Sequence, residues 1–214
     1  SRMATRHTRN RGWRVVCFWI DELTELHHNS RMQATPLTFF GCRLNAKGIN
    51  LMTTPFLPLL NNKPPFPELV SGYTEIELRK IASLYDISID GLLKSFLMEV
   101  GRCAGGMFSD DAIPLYRQLW SVRTHLLFQV GFYETLQEAG AFGHLKSPFV
   151  LGWEAETQYY FLQTTSRNSE VVYHFDENTG NLSDTGFNLV GYLSDVISRF
   201  PTSRIVCKGD LINI

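Results

Sequence analysis

The stretch PFVLGWEAETQYYFLQ, residues 148–163, decides how this chain is read. Two runs rich in β-branched and aromatic residues flank a short Glu-Ala-Glu interruption, and a third run, EVVYHFD at 170–176, follows after TTSRNS. That pattern predicts consecutive antiparallel strands joined by hairpins. With a side-chain period of two, Tyr159 and Phe161 share one face of a strand and Tyr160 and Leu162 the other. One set is expected on the helices and the other partly exposed.

Upstream of this region the period becomes helical. Thr74-Glu75-Ile76-Glu77 fits a capping box, with Thr74 and Glu77 as reciprocal partners, and predicts an amphipathic helix to about Tyr85 on which Ile76, Lys80 and Leu84 form one line with Ile81 and Tyr85 beside it. Ser88 or Asp90 opens a second helix through Leu92, Leu93, Phe96, Leu97 and Val100, which stops at Gly101. Gly105 and Gly106 then supply a break where positive φ costs little. A longer helical region is read over 112–140, with Leu115, Leu119, Val122 and Leu126 at helical spacing, an interruption at Gly131 and an end at Gly140. His125 among Leu126, Leu127 and Phe128 reads as a satisfied core histidine. After the strands, DENTGN turns the chain and GFNLVGYLSDVISRF closes it with a helix.

Helices before strands, with one more helix last, predict an α+β fold: N-terminal helices packed on an antiparallel sheet and a closing C-terminal helix. Pro55, Pro58, Pro64, Pro65 and Pro67 mark an extended connector. The chain therefore divides into an N-terminal extension with this connector, 1–69, and a main domain, 70–214. Within the extension a weak strand (13–20) and a short acidic helix (21–28) are read.

Composition narrows the function classes. The chain is 44% hydrophobic and 19% charged, typical of a globular protein able to bury a core. No apolar run approaches the roughly 20 residues of a membrane span, and no secretory signal is read, so the expectation is a cytoplasmic protein without a membrane partner. Residues 1–51 carry eight Lys or Arg against three acids, and 52–214 carry twelve against eighteen, so the main body is acidic. That balance disfavours nucleic acid and favours a basic protein partner.

Motifs for chemistry are sparse. Cys17, Cys42, Cys103 and Cys207 are widely separated and read as free thiols without a metal site. His27 and His28 are adjacent and so point apart. Asp184-Thr185-Gly186 reads as a turn before the last helix, and no phosphate loop or nucleophile elbow appears, so neither catalytic residues nor a cofactor are expected. Strand alternation puts His174 and Asp176 on one face, which offers a hydrolase-type proton relay as the enzymatic alternative, with His144 as a further place to look. The exposed Tyr159 beside Glu154, Glu156, Asp176 and Glu177 reads instead as an acidic, aromatic docking surface.

The stretch YTEIELRKIASLYDISIDGLLKSFLMEVGRCAGGMF, 73–108, together with the strands around Trp153 and the closing GFNLVGYLSDVI, resembles the SUKH superfamily over roughly residues 70–200. This group is named for the yeast Smi and Knr cell-wall regulators, the secretion factor Syd and related proteins. The resemblance assigns structural roles to Thr74, Glu77, Gly105, Gly106 and Trp153. It implies a fold without catalytic residues, and an immunity protein that neutralises a basic toxin domain such as a nuclease. A regulatory interaction scaffold is the alternative in the same family.

Overall fold

A computed structural model describes residues 55–200 and 206–213. The strand at 13–20, the helix at 21–28, Cys17, Cys42 and the His27-His28 pair lie outside the described residues. The fold is α+β: helices α1 (Glu75–Tyr85), α2 (Gly91–Val100) and α3 (Val122–Glu138) precede the strands β1 (Pro148–Glu154), β2 (Gln158–Gln163), β3 (Val171–Asp176) and β4 (Asn181–Asn188), and α4 (Leu189–Arg199) closes the series. The strands form a simple antiparallel meander in the order β1-β2-β3-β4.

Local chemistry sets the helix ends. Thr74 Oγ1 accepts from the Glu77 amide, and Glu77 accepts from the Thr74 amide at 2.8 Å, which completes the capping box of α1. The buried residues of α1 are Leu78 and Ile81, whereas Ile76 is 64% and Leu84 37% exposed, so the buried face includes Ile81 but is turned away from the line through Ile76 and Leu84. Asp90 occupies the N-cap of α2 without a side-chain bond to the helix; the Leu92 amide instead donates to Glu170 from the loop before β3. Gly91 is required there, because it has φ +51° and a Cβ would fall 2.6 Å from that carboxylate.

The third helix begins ten residues later than its pattern suggests. Pro114 opens a 3-10 turn (Pro114–Tyr116), and Ser121 caps α3 by accepting from the Thr124 amide. Leu119, counted in the helical repeat, is 98% exposed. Gly131 sits inside α3 without interrupting it, and Gly140, at φ +73°, follows its end.

A fourth strand replaces the expected turn. Asp184-Thr185-Gly186 lies within β4, where the Gly186 amide bonds to Asp184 Oδ1 at 2.7 Å and the pairing with β3 slips between Val171 and Tyr173. With the Phe187 amide bonded to Thr185 Oγ1 at 3.2 Å, side chains occupy two backbone amides of this edge strand, which limits further pairing there. The opposite edge is covered: Gln129 of α3 donates to the Val150 carbonyl and accepts from its amide, and the Trp153 amide bonds to Ala112.

Both faces of the sheet are covered over β1, β2 and β3, whereas β4 stays largely exposed. Phe149, Leu151, Leu162 and Val172 join α1, α2 and α4 in one core, and Val150, Tyr159, Phe161 and Phe175 pack under Phe132 and Leu136 of α3 in another. The expectation of a partly exposed second face fails because α3 crosses back over it. Gly152 lets α4 approach: a Cβ there would stand 1.7 Å from the Tyr192 hydroxyl. The connector also belongs to the body. Phe56 and Leu60 are buried, Phe56 packs edge-on against Phe96 at 5.3 Å, and Glu99 accepts from the Phe56 and Leu57 amides. Gly105 (φ +59°) and Gly106 (φ +85°) make the break after α2, with the Gly105 carbonyl accepting from Phe66 at 2.9 Å.

Candidate functional site at the acidic end of the sheet

The turn between β1 and β2 carries Glu154, Ala155, Glu156 and Thr157, and the turn between β3 and β4 carries Asp176, Glu177, Asn178 and Thr179. Antiparallel order brings both to one end of the sheet. They are locked together: the Glu177 amide donates to the Thr157 carbonyl, and Asn178 Nδ2 to Thr157 Oγ1, each at 2.9 Å. The four carboxylates singled out in the sequence are thus gathered at one end.

Their roles differ. Glu154 accepts both ends of the Arg199 guanidinium at 2.7 and 2.8 Å, and Arg199 also pairs with Asp195 one turn earlier on α4. Asp176 binds inward, to Gln158, to the Asn178 amide and to Thr179. The Gln158 amide, then the Thr179 hydroxyl and the turn amides, hold its carboxyl below the usual carboxylate range. Glu177 accepts from the Tyr159 hydroxyl at 3.1 Å. Burial first, and then the Glu177 charge, push that phenol up to about 12, so it remains the donor.

Glu156 makes no hydrogen bond or ion pair among the described residues and points its charge into solvent from a costly backbone. Ala155 and Glu156 both have positive φ, +48° and +61°, with the Thr157 amide returning to the Glu154 carbonyl. Asn-Gly or Asp-Gly is the inexpensive sequence for that two-residue hairpin; a Cβ at both central positions costs on the order of 1–2 kcal/mol per residue.

Tyr159 is not part of an exposed face. It is 9% exposed, stacked on Phe132 at 4.8 Å and on Phe128 at 6.1 Å. Trp153 lies beside it, with the Arg117 guanidinium 4.5 Å above its ring and 5.0 Å from that of Trp120. The exposed part of this end therefore consists of turn carboxylates, and the aromatic residues pack beneath them.

The His174–Asp176 pair does not touch directly. His174 Nε2 meets Gln158 Oε1 at 2.7 Å, and Gln158 Nε2 donates to Asp176 at 2.9 Å, so an amide separates the two ionisable groups. An amide at that place fixes orientation and passes no proton readily. Tyr160 stacks on His174 at 4.9 Å. His144, the other enzymatic suggestion, lies edge-on to Tyr173 at 5.3 Å. Among the described residues no three His, Cys, Asp or Glu side chains are placed to hold a metal, and no helix is long and apolar enough to cross a membrane. Cys103 and Cys207 are buried, and neither is in a disulfide.

Arg199, Gln158 and Thr157 are the members of this end that sequence reading missed. Arg199 stands four residues after Asp195, a helical ion-pair spacing that was visible; its reach to Glu154, 45 residues away, was not. Compared with family models, curated proteins and solved structures, the chain matches none of them.

Proposed function

We propose that the chain is a non-catalytic protein-binding module that docks a basic protein through the acidic end of its sheet. The observation that carries this reading is the locking of the two turns at Thr157, which presents Glu156 and Glu177 together on a rigid support. A charged rim on preformed structure accelerates encounter with an oppositely charged surface and sets specificity more than it adds raw affinity. The strained Ala155-Glu156 turn supports the same reading, because a backbone held in an unfavourable region at an exposed charge is characteristic of sites where geometry matters more than stability.

In its finer form the module is an immunity protein of SUKH type, cytoplasmic, whose partner is a basic toxin domain such as a nuclease. Nucleases present cationic faces to their substrate, and an acidic body competes for such faces. A regulatory scaffold would use the same end with a host partner. The separation of His174 from Asp176 by Gln158 favours binding over hydrolysis.

The test is capture of partners by the tagged full chain at low and high salt, followed by co-expression with the captured protein. A basic partner released by salt, whose toxicity the chain suppresses, supports immunity. A salt-sensitive basic partner without toxicity supports the scaffold form. Capture that is indifferent to salt and to Glu156→Lys with Glu177→Lys removes the acidic end from the account.

A further inference from the structure

Away from the turn carboxylates, the segment 206–211 returns to the body and closes a cleft of about 300 Å³ lined by Ser71, Arg102, Gln118, Trp120, Lys208 and Asp210. Its walls are fixed. The Gly209 amide donates to the Arg102 carbonyl at 2.9 Å, the Leu211 amide to the Tyr73 hydroxyl at 3.0 Å, and Gln118 to the Val206 carbonyl at 3.1 Å. Gly209 permits the close passage, since a Cβ there would stand 1.6 Å from the Leu115 carbonyl oxygen. A cleft of this size reaches the lower range of small-molecule sites.

The charges in it are unequally committed. Arg102 is held by Glu77 at 2.7 Å and Asp210 at 3.5 Å, and its guanidinium lies 4.5 Å above the Tyr73 ring. Asp210 is occupied as well: burial pushes its carboxyl up, but the Ile212 and Asn213 amides, the Asn213 side chain and Arg102 outweigh that and hold it below the usual range. Lys208 is exposed and makes no ion pair among the described residues. Trp120, half-buried, is held by Arg117, by His125 at 5.2 Å and by Phe128 at 5.0 Å, so the cleft is lined by both a fixed aromatic side chain and an uncommitted ammonium.

The geometry points to this cleft as a binding site for a small organic anion, a carboxylate carrying an apolar or aromatic body, with Lys208 taking the charge and Trp120 the body. It uses none of the residues of the acidic end, so its failure leaves the docking function standing, and the reverse holds too. Charge-assisted contact to the ammonium and apolar contact with the indole are the two interactions such a ligand needs.

Titration of the isotope-labelled full chain with phenylacetate, followed by amide and indole resonances, tests it. Saturable shifts are expected at the Trp120 indole N–H and the Gly209 amide, and Lys208→Gln, an exposed substitution that leaves the fold intact, should weaken binding roughly tenfold. The neutral analogue 2-phenylethanol should bind at least as much more weakly as that variant does. Inorganic phosphate should not reproduce the indole shift. Absence of saturable shifts, equal binding of the alcohol, or equal response to phosphate would each overturn the assignment.

Discussion

The two faces of the sheet are buried by different chemistry. Under α1, α2 and α4 the core is largely aliphatic, extends from Phe56 to Leu211 and takes in both margins of the described chain. Under α3 it is smaller and aromatic, built on Phe132, Tyr159, Phe161 and Phe175, with Phe128 and Trp153 at its edge. Buried polar atoms without a hydrogen-bond partner occur on both sides, the Tyr85 and Tyr192 hydroxyls in the first core and Trp153 Nε1 at the edge of the second. The first layer thus holds the fold together, and the second stiffens the end that carries the carboxylates.

The sharpest way to break that comparison is to empty each core in turn. Phe96→Ala should cost about 3–5 kcal/mol and destabilise the domain as a whole, because Phe96 is fully buried against Phe56. Phe132→Ala should fall at the lower end of that range and release protection chiefly in α3 and its loops. Urea denaturation with hydrogen exchange resolved by residue separates the two; uniform loss of protection in both variants would erase the distinction.

Next in size is a pH effect confined to the aromatic side. Burial depresses His125 from the usual 6.5 to about 4, with Asp210 opposing, so the fold accommodates the neutral imidazole. Its contribution is complete above the unfolded value and is lost as pH falls from 6.5 towards 4, about 3 kcal/mol at most. Stability curves of the full chain should show this slope, and His125→Phe should flatten it. A variant with an unchanged slope would assign the acid sensitivity elsewhere.

How far the sequence was legible follows the same division. Thr74 with Glu77, the apolar run 92–100 and the three aromatic strand runs carry strong local signals, and each formed the expected element. The covering of the second face was not legible, since alternation along β2 describes a half-buried strand equally well until α3 is seen to cross it. The start of α3 was misplaced because Leu115 and Leu119 mimic its period, although Pro114 breaks the backbone first. β4 was hidden because Asn181, Ser183, Asp184 and Gly186 are turn residues by composition, used here on an exposed edge. Of the site, the four carboxylates were visible by their spacing; the neutralisation of Glu154 by Arg199 and the burial of Tyr159 were tertiary facts.

Smaller effects sharpen the contrast between stability and docking. Replacing the Ala155-Glu156 pair by Asn-Gly should stabilise the domain by about 1–2 kcal/mol, because both residues then suit positive φ, while slowing association with the proposed basic partner. Thermal melts and association rates together check this; a variant that loses stability would show that the turn is not strained. Smallest of all, Arg199→Met should cost about 1 kcal/mol or less, as its ion pairs are partly exposed, yet it should make the acidic end more negative and speed association at low salt.

The central claim is that the acidic end docks a basic protein, and the salt dependence of association tests it most directly. The rate constant for the captured partner would be measured from low to high salt with the native chain and with Glu156→Lys, Glu177→Lys. A steep fall with salt for the native chain and a slow, nearly flat profile for the variant is the predicted result. Parallel profiles of equal rate would contradict it.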